Sequence, residues 1–314
     1  RIKTFTYGVS QNQARSTEVI YAKKISEILG TKWCQIELSN YHDFIDEWFR
    51  MYGFSTHLHG MYHIEFYKKI LSKKLLNTPT VLTGIVGDML AESRKFTKII
   101  NSHDDLIGLG YTHGMALDCS AINFQPDNSS KKEYFRRYEK YFRNDKALAI
   151  FTIRNKLMLL SYLDQLPEYL GMPTWTPFLN HEIVKATLGV SEVRRKDRIW
   201  QSDFFASVGL NLEDMKLGGK PETSHHLDYY IAREKIFDPI KKEVIGHLVK
   251  PSKIAEINNL LNNKYNFNKF IAWCLHVPKL GGLLKRLGFK NKYLKALHEY
   301  YILKAIEKAI SYDT

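Results

Sequence analysis

The hydrophobic positions of the first third of the chain alternate between strand-like and helix-like spacing. Residues 2–9 alternate threonines with aromatic and aliphatic side chains, which predicts a β-strand. Ser16 then begins a segment with apolar residues at helical spacing, and Gly30 ends it, which predicts a capped amphipathic helix. A second strand over 33–38 and a second helix over 41–51 repeat this order. Such alternation indicates a parallel sheet with crossover helices.

A third predicted strand, over 80–82, follows a helix predicted over 64–75 and leads directly into a glycine-rich turn. The turn covers residues 83–88 and has the sequence TGIVGD. Ligands of open parallel α/β sheets bind at the carboxyl ends of the strands. Glycines there let backbone N–H groups approach an anion, and Asp88 is placed to hold magnesium on phosphate. Taken alone, this turn also suits an ordinary strand-to-helix connection.

The second half of the chain has helical patterns and one proline-braced turn, at residues 173–181. Within the helix predicted over 151–170, Met158, Leu159 and Leu160 are expected to pack in the core. The chain is therefore predicted to be α/β with a largely helical second half. Lys250-Pro251 suggests a boundary between a domain at 1–249 and a helical extension at 250–314. The other predicted helices of this half lie at 131–143, 182–188, 200–208 and within 253–311.

The composition permits a full core and a polyanionic partner. Of the 314 residues, 44% are hydrophobic, which suits one large or two modest domains. The net charge of +13 fits nucleic acid, an acidic membrane surface or a nucleoside triphosphate. No Arg-rich block is present, so a nucleic-acid partner is not expected. Residues 279–309 mix leucines with many lysines, so they suit docking on an anionic membrane as well as packing on their own domain.

Cysteine usage and hydropathy favour a cytoplasmic location. Cys34, Cys119 and Cys274 lie far apart without CxxC spacing, which supports neither a disulfide framework nor a zinc site. No apolar run approaches the ~20 residues of a membrane span. Residues 57–63 contain three histidines, for which solvated or substrate-facing roles are favoured over a metal site. The chain begins at Arg1 within a strand-like run, so further residues are expected upstream.

Three separated stretches carry a family resemblance when they are taken together. Residues 4–8 read TFTYG, and LGT follows at 29–31. Residues 81–89 read VLTGIVGDM. Residues 159–186 form a helix-like run and a turn that contain Asp164 and a Pro-Phe-Leu motif. In order and approximate spacing, these stretches resemble the synthetase domain of the asparagine synthetase family, which includes the β-lactam synthetases.

The resemblance implies a fold and a reaction. The family fold is a twisted parallel sheet of the adenine-nucleotide pyrophosphatase (HUP, Rossmann-like) type, with helices added behind it. The implied enzyme is an AMP-forming carbon–nitrogen ligase that uses ATP and Mg²⁺ to adenylate a small carboxylate with release of pyrophosphate. Ammonia, glutamine-derived nitrogen or another amine then attacks the acyl-adenylate and gives an amide and AMP.

The resemblance also implies roles for individual residues. A lysine on a mobile loop would neutralise charge on the leaving group, and Lys220 is preferred over Lys216 for this role. Asp88 would anchor the magnesium ion. The backbone of Tyr7 would hold adenine, and the backbone around Thr83–Gly87 would cradle pyrophosphate. The implied nucleotide-binding residues are Tyr7, Thr83, Gly84, Gly87 and Asp88.

The chain also departs from the family pattern. The family's SGGxDS loop, expected upstream of the first strand, and its glutaminase domain are not found in this sequence. Ile85 and Met89 stand where the pyrophosphate loop has its other acidic or tyrosine residues, and Pro173 and Trp175 replace a glutamate and an arginine. An isoleucine cannot abstract a proton. Two hypotheses follow: a ligase for a different carboxylate, or a catalytically inactive relative that uses the scaffold for binding.

Overall fold

The computed structural model describes most of the chain, in ranges separated by gaps. These ranges are 2–53, 58–73, 80–87, 90, 100–109, 117, 119–124, 127–212, 215–219, 224–263, 266–277 and 279–312. The strands within them are β1 (Lys3–Thr6), β2 (Lys32–Gln35), β3 (Val81–Leu82) and β4 (Thr174–Trp175). The α-helices are α1 (Thr17–Leu29), α2 (Ile45–Tyr52), α3 (Tyr62–Ser72), α4 (Ser129–Tyr138), α5 (Asp145–Leu160), α6 (Tyr162–Tyr169), α7 (His181–Gly189), α8 (Glu192–Arg195), α9 (Ile199–Ser207), α10 (Ser224–Ala232), α11 (Lys242–Ile245), α12 (Pro251–Asn262), α13 (Phe267–His276), α14 (Leu280–Arg286) and α15 (Lys292–Tyr312).

The architecture is mixed α/β and mostly helical, with two small parallel sheets. β1 pairs with β2 from Lys3 opposite Lys32 to Thr6 opposite Gln35. β3 pairs with β4 over two residues, Val81 opposite Thr174 and Leu82 opposite Trp175. Within the described ranges these two pairs remain separate sheets. The prediction of parallel strands followed by a helical second half is confirmed. The described residues form two short sheets and do not form one continuous sheet.

The elements of the first third follow their sequence signals closely. α1 begins directly after Ser16 and ends at Gly30, whose φ of 63° is the left-handed conformation that glycine adopts at low cost. The hydroxyl of Ser16 does not cap the helix; it accepts a hydrogen bond from the N–H of Ser10 at 2.9 Å. The helices predicted over 64–75, 131–143, 182–188 and 200–208 are likewise present as α3, α4, α7 and α9.

Two predictions in the middle of the chain are wrong in detail. The helix predicted over 151–170 is two helices, α5 and α6, and α5 begins earlier because the side chain of Asn144 accepts from the N–H of Ala147. Met158, predicted to pack in the core, is 73% exposed, whereas Leu160 is buried. The side chain of Leu159 lies outside the described part of the structure. The turn predicted at 173–181 contains β4, which is too short to show a strand period.

α15 is the central helix of the main hydrophobic core. Its buried side chains include Tyr293, Leu297 and Tyr301, and they share one core cluster with Trp48 of α2 and Ile64 of α3. The prediction of a helical segment after Lys250-Pro251 is confirmed, since α12 begins at Pro251. The division into 1–249 and 250–314 remains a prediction. Within the described ranges, no helix has both the length and the apolar character needed to cross a membrane.

Polar contacts join the N-terminal segments to α10 and α15 inside this core. The hydroxyl of Tyr41 donates to Asp228 Oδ1 at 2.6 Å. His42 Nε2 lies 2.6 Å from the hydroxyl of Tyr301, and its ring stacks on Tyr41 with centroids 4.3 Å apart. Burial lowers the pKa of His42 to about 4, although the charge of Asp228 acts in the opposite direction. The imidazole is therefore neutral in the folded protein near neutral pH.

This buried histidine predicts a loss of stability in mild acid. The unfolded chain binds a proton at His42 near the ordinary pKa of 6.5, whereas the folded chain binds it only near 4. The free energy of unfolding therefore falls as the pH drops from 6.5 to 4, by about 3 kcal/mol at 1.36 kcal/mol per unit of pKa. Urea unfolding across this window should show that His42→Gln flattens the dependence.

The matched control is His181→Gln, because the His181 side chain on α7 is 83% exposed. It should keep the pH dependence of the unmodified chain. An equal slope in the His42→Gln variant and the unmodified chain would show that another group causes the acid sensitivity.

Candidate functional site

β3 and β4 end side by side, and a hydroxyl-bearing residue follows each of them. The N–H of Val81 donates to the carbonyl of Pro173 at 2.8 Å, and that of Thr83 donates to Trp175 at 3.0 Å. Since the two strands are parallel, their carboxyl ends lie at the same edge. Thr83 and Thr176 are thereby brought together, with 2.7 Å between their Oγ1 atoms.

Asp164 of α6 completes a compact group of three oxygens at this edge. Its Oδ1 lies 2.7 Å from the hydroxyl of Thr83 and 2.7 Å from that of Thr176. The three side chains make three short oxygen–oxygen contacts. Each of the two hydroxyls has one proton to donate, so these hydroxyls can form at most two hydrogen bonds among the three contacts. No donor within the described residues reaches Asp164 Oδ2. That oxygen can accept a further donor or contribute to binding a cation.

The glycine-rich turn begins at the same strand end. The N–H of Gly87 donates to the carbonyl of Gly84 at 3.1 Å, and Val86 has a left-handed φ of 57°. Within the described residues, the N–H groups of Gly84, Ile85 and Val86 donate no hydrogen bond. Consecutive N–H groups in such a turn are candidate donors to an anion. Asp88, the predicted magnesium ligand, lies outside the described residues.

Close packing fixes the position of Gly87. A Cβ on this residue would lie 2.7 Å from two ring carbons of Phe178, closer than real Cβ contacts. Phe178 belongs to the Pro-Phe-Leu motif, so two of the separated stretches singled out in the sequence are in direct contact. Gly84 is different, because nothing lies within 4 Å of its Cβ position.

Tyr7 lies at the end of β1, in a cluster of aromatic rings. Its ring centroid is 5.5 Å from that of Tyr62 and 5.3 Å from that of Phe66. Burial raises the pKa of Tyr7 to about 12, so its hydroxyl stays protonated. Burial also raises the pKa of Tyr67 on α3, and the carboxylate of Asp164 and the phenolate that Tyr7 forms at high pH add to that effect. Tyr67 therefore lies within electrostatic reach of both β1 and the Asp164 group.

Lys216 begins a loop that packs on the start of α1. Lys216 is exposed, and the loop it begins reaches Gly219, whose Cβ position lies 2.8 Å from the Cα of Thr17. The loop thus lies on the first turn of α1, in the segment that follows β1. Among the described residues, no hydrogen bond or ion pair joins Lys216 to residues 83–87. Lys220, the preferred catalytic lysine, lies outside them.

The positions that depart from the family pattern have different environments. Ile85 is buried in the main core, so its side chain is a packing group. Trp175 of β4 is 59% exposed beside Thr176. Met89 is outside the described part of the chain. Among the described residues, no three His, Cys, Asp or Glu side chains are grouped closely enough to hold a metal ion.

Comparison of the chain with protein-family models, with curated proteins and with solved structures gave no match. The resemblance to the asparagine synthetase family therefore rests on the three stretches themselves. Asp164 was not among the residues predicted to form the site. Its position as the aspartate of the third stretch was the signal that could have identified it.

The packing of the turn makes a prediction that needs no ligand. Gly87→Ala should lower the free energy of unfolding by about 1–3 kcal/mol, because the new methyl group forces the Phe178 ring to move. Gly84→Ala is the matched control and should change it by less than about 0.5 kcal/mol. Urea unfolding measures both. If the two variants lose the same stability, the close contact between the turn and Phe178 is not present in solution.

Proposed function

We propose that the chain forms an amide from a small carboxylate and an amine, at the expense of ATP cleaved to AMP and pyrophosphate. The observation that carries this proposal is the group of Thr83, Asp164 and Thr176 beside the glycine turn. This group and the packing of Gly87 on Phe178 bring the second and third family-like stretches into contact. Contact between separated stretches is what the resemblance requires if both belong to one site.

Each part of the site supports one requirement of this chemistry. Negative charge develops on the pyrophosphate when the carboxylate oxygen attacks the α-phosphorus and the bond to pyrophosphate breaks. Backbone N–H groups of the glycine turn would bind that charge, and Lys220 or Lys216 would neutralise it. Asp88 would hold Mg²⁺, and the backbone at Tyr7 would receive adenine. The amine nitrogen then bonds to the activated carbonyl carbon, AMP leaves, and the amine loses a proton.

The same proposal includes the finer fold. The pairs β1–β2 and β3–β4 would be two parts of one parallel sheet of the adenine-nucleotide pyrophosphatase type. Both pairs are parallel, and α3 packs against Tyr7 through Phe66 and also packs on α6. A strand carrying the family's SGGxDS loop would lie between β1 and β3, each of which has one unpaired edge within the described residues.

The direct test is release of pyrophosphate by the full protein, with any residues encoded upstream of Arg1. ATP, Mg²⁺ and a panel of small carboxylates are supplied with ammonia or glutamine, and pyrophosphate is measured. A substrate acid should raise release above the ATP-only rate. Asp88→Asn and Lys220→Ala should each lower kcat by about 100-fold or more, since each removes charge stabilisation at the leaving group. Lys242→Ala, an exposed lysine of α11, is the matched control.

The alternative is a catalytically inactive relative that binds a ligand on the same scaffold. The burial of Ile85 in the core favours it, because no acid or base stands at that position of the turn. Calorimetry with ATP and Mg²⁺ separates the two proposals. Binding of ATP that Asp88→Asn weakens, together with acid-dependent pyrophosphate release, supports the ligase. No ATP binding and no release with any acid supports the inactive scaffold.

A cytoplasmic location accompanies this proposal, because ATP is available there. Cys34 and Cys274 carry free thiols, in keeping with a reducing compartment.

A further inference from the structure

Helices α13 and α14 pack against each other at the surface and present an apolar face to solvent. Ala272, Cys274 and Leu275 point inwards and are buried, whereas the other side of the pair is water-exposed. Each large apolar residue of that side keeps between 37% and 68% of its surface exposed. We call these residues the hairpin face: Phe267, Phe270, Trp273, Leu280, Leu283, Leu287 and Phe289.

The chain segment that carries the hairpin face has charges of a single sign. Residues 257–298 contain eight Lys and Arg and not one Asp or Glu, although the whole chain has 33 acidic residues. Lys279, Lys285, Arg286 and Lys290 are exposed between or beside the apolar side chains. Aromatic and aliphatic groups bordered by basic residues, with no acids, are typical of segments that lie in an anionic membrane interface.

A pocket of about 520 Å³ opens beside the aromatic end of this face. It is lined by Phe267, Phe270 and Trp273 together with Arg233, Lys269 and Tyr293. Tyr293 is fully buried, and its hydroxyl has no hydrogen-bond partner within the described residues. A buried hydroxyl without a partner is costly, and the cationic side chains of Arg233 and Lys269 would attract a phosphate to this pocket. Glu234 at the pocket pairs with Arg233 at 2.9 Å and would compete with such an anion.

We propose that the hairpin face docks on an anionic lipid membrane, with its rings and leucines in the interface and its lysines on lipid phosphates. This inference is independent of the proposed ATP chemistry. A second copy of the chain fits less well, because the basic residues that border the two faces would repel each other. RNA would stack on the aromatic rings, but it offers no apolar environment to Leu280, Leu283 and Leu287.

The rest of the predicted basic stretch plays a different part. Leu297 of α15 is buried and Leu294 and Ile306 are half-buried in the main core, so only positions 280–289 of residues 279–309 contribute to the face. The aromatic residues of α13, upstream of that stretch, supply the remainder. The face is thus built by folding, and it joins residues that the sequence pattern did not group.

Flotation of the full protein with lipid vesicles tests the proposal. Vesicles of phosphatidylcholine alone are compared with vesicles that also contain phosphatidylglycerol. The protein should float only with the anionic vesicles, and added salt should weaken its binding. Leu283→Ser with Leu287→Ser should weaken binding at least about tenfold, because two apolar side chains are lost from the interface. Lys285→Glu with Arg286→Glu should have a larger effect, since each basic residue near the surface strengthens binding about fivefold.

A matched control uses exposed apolar residues elsewhere. The double variant Phe204→Ser with Val208→Ser also removes two exposed apolar side chains, but these lie in and just after α9, next to the acidic Asp203. It should leave flotation unchanged. Circular dichroism of every variant establishes that it is folded. The fluorescence of Trp273 is obtained by subtracting the spectrum of the Trp273→Phe variant from that of the unmodified protein. Its emission maximum should shift to shorter wavelength on anionic vesicles.

Several outcomes overturn the proposal. These are no flotation with anionic vesicles, flotation that the hairpin-face variants do not change, or an unshifted Trp273 emission. Binding of a single-stranded RNA with no binding of vesicles would assign the face to nucleic acid. Dimerisation that the Leu283 and Leu287 changes abolish, without vesicle binding, would assign it to a second copy of the chain.

Discussion

The fold depends on the burial of three charged side chains on α15. Glu299, Lys304 and Glu307 are each at most 3% exposed, and each is paired. Glu299 meets Lys253 of α12 at 2.8 Å, and Lys304 meets Glu307 at 2.7 Å. Charges in such positions are tolerated only with well-placed partners, and removal of one partner typically costs about 3–5 kcal/mol. The pair of Glu299 with Lys253 therefore fixes the position of α15 along α12, which non-directional apolar contacts alone would define less sharply, whereas Lys304 and Glu307 pair within α15 itself.

Correct placement of α15 in turn positions the N-terminal elements. Glu307 accepts from the N–H of Lys241, and Lys304 donates to the carbonyl of Pro239, so the segment before α11 is held on the helix. Tyr301 meets His42 from the other side. α3 and α6 pack in the same core, and α6 brings Asp164 to the ends of β3 and β4. The candidate site thus lies at the surface of this core, and Ile85 and Val86 of its glycine turn are buried in the core themselves.

The sequence predicted correctly those elements whose ends are determined by one or two neighbouring residues. Ser16 and Gly30 delimit α1 because helix termination is a property of one or two residues. β4 could not be predicted in this way, since two residues have no period and its pairing with β3 joins positions more than 90 apart. The prediction for Met158 was wrong because its helix has apolar residues on all sides. Such a sequence shows that the helix is buried, but it does not show which side of the helix faces solvent. The motif order identified Thr83, Gly84 and Gly87 as a turn at a strand end, whereas the role of Asp164 appears only when the distant segments meet.

The position of α15 in both sequence and space has a consequence for synthesis. The hydrogen bond between His42 and Tyr301 spans 259 positions, so α15 is translated long after the N-terminal segments whose core it completes. Until it arrives, Trp48 and Ile64 lack the partner that excludes water from them. Contacts of such long range form slowly, and incomplete cores expose apolar surface that promotes aggregation. The nascent chain must therefore be kept from associating with its neighbours until α15 has been made and has packed into the core.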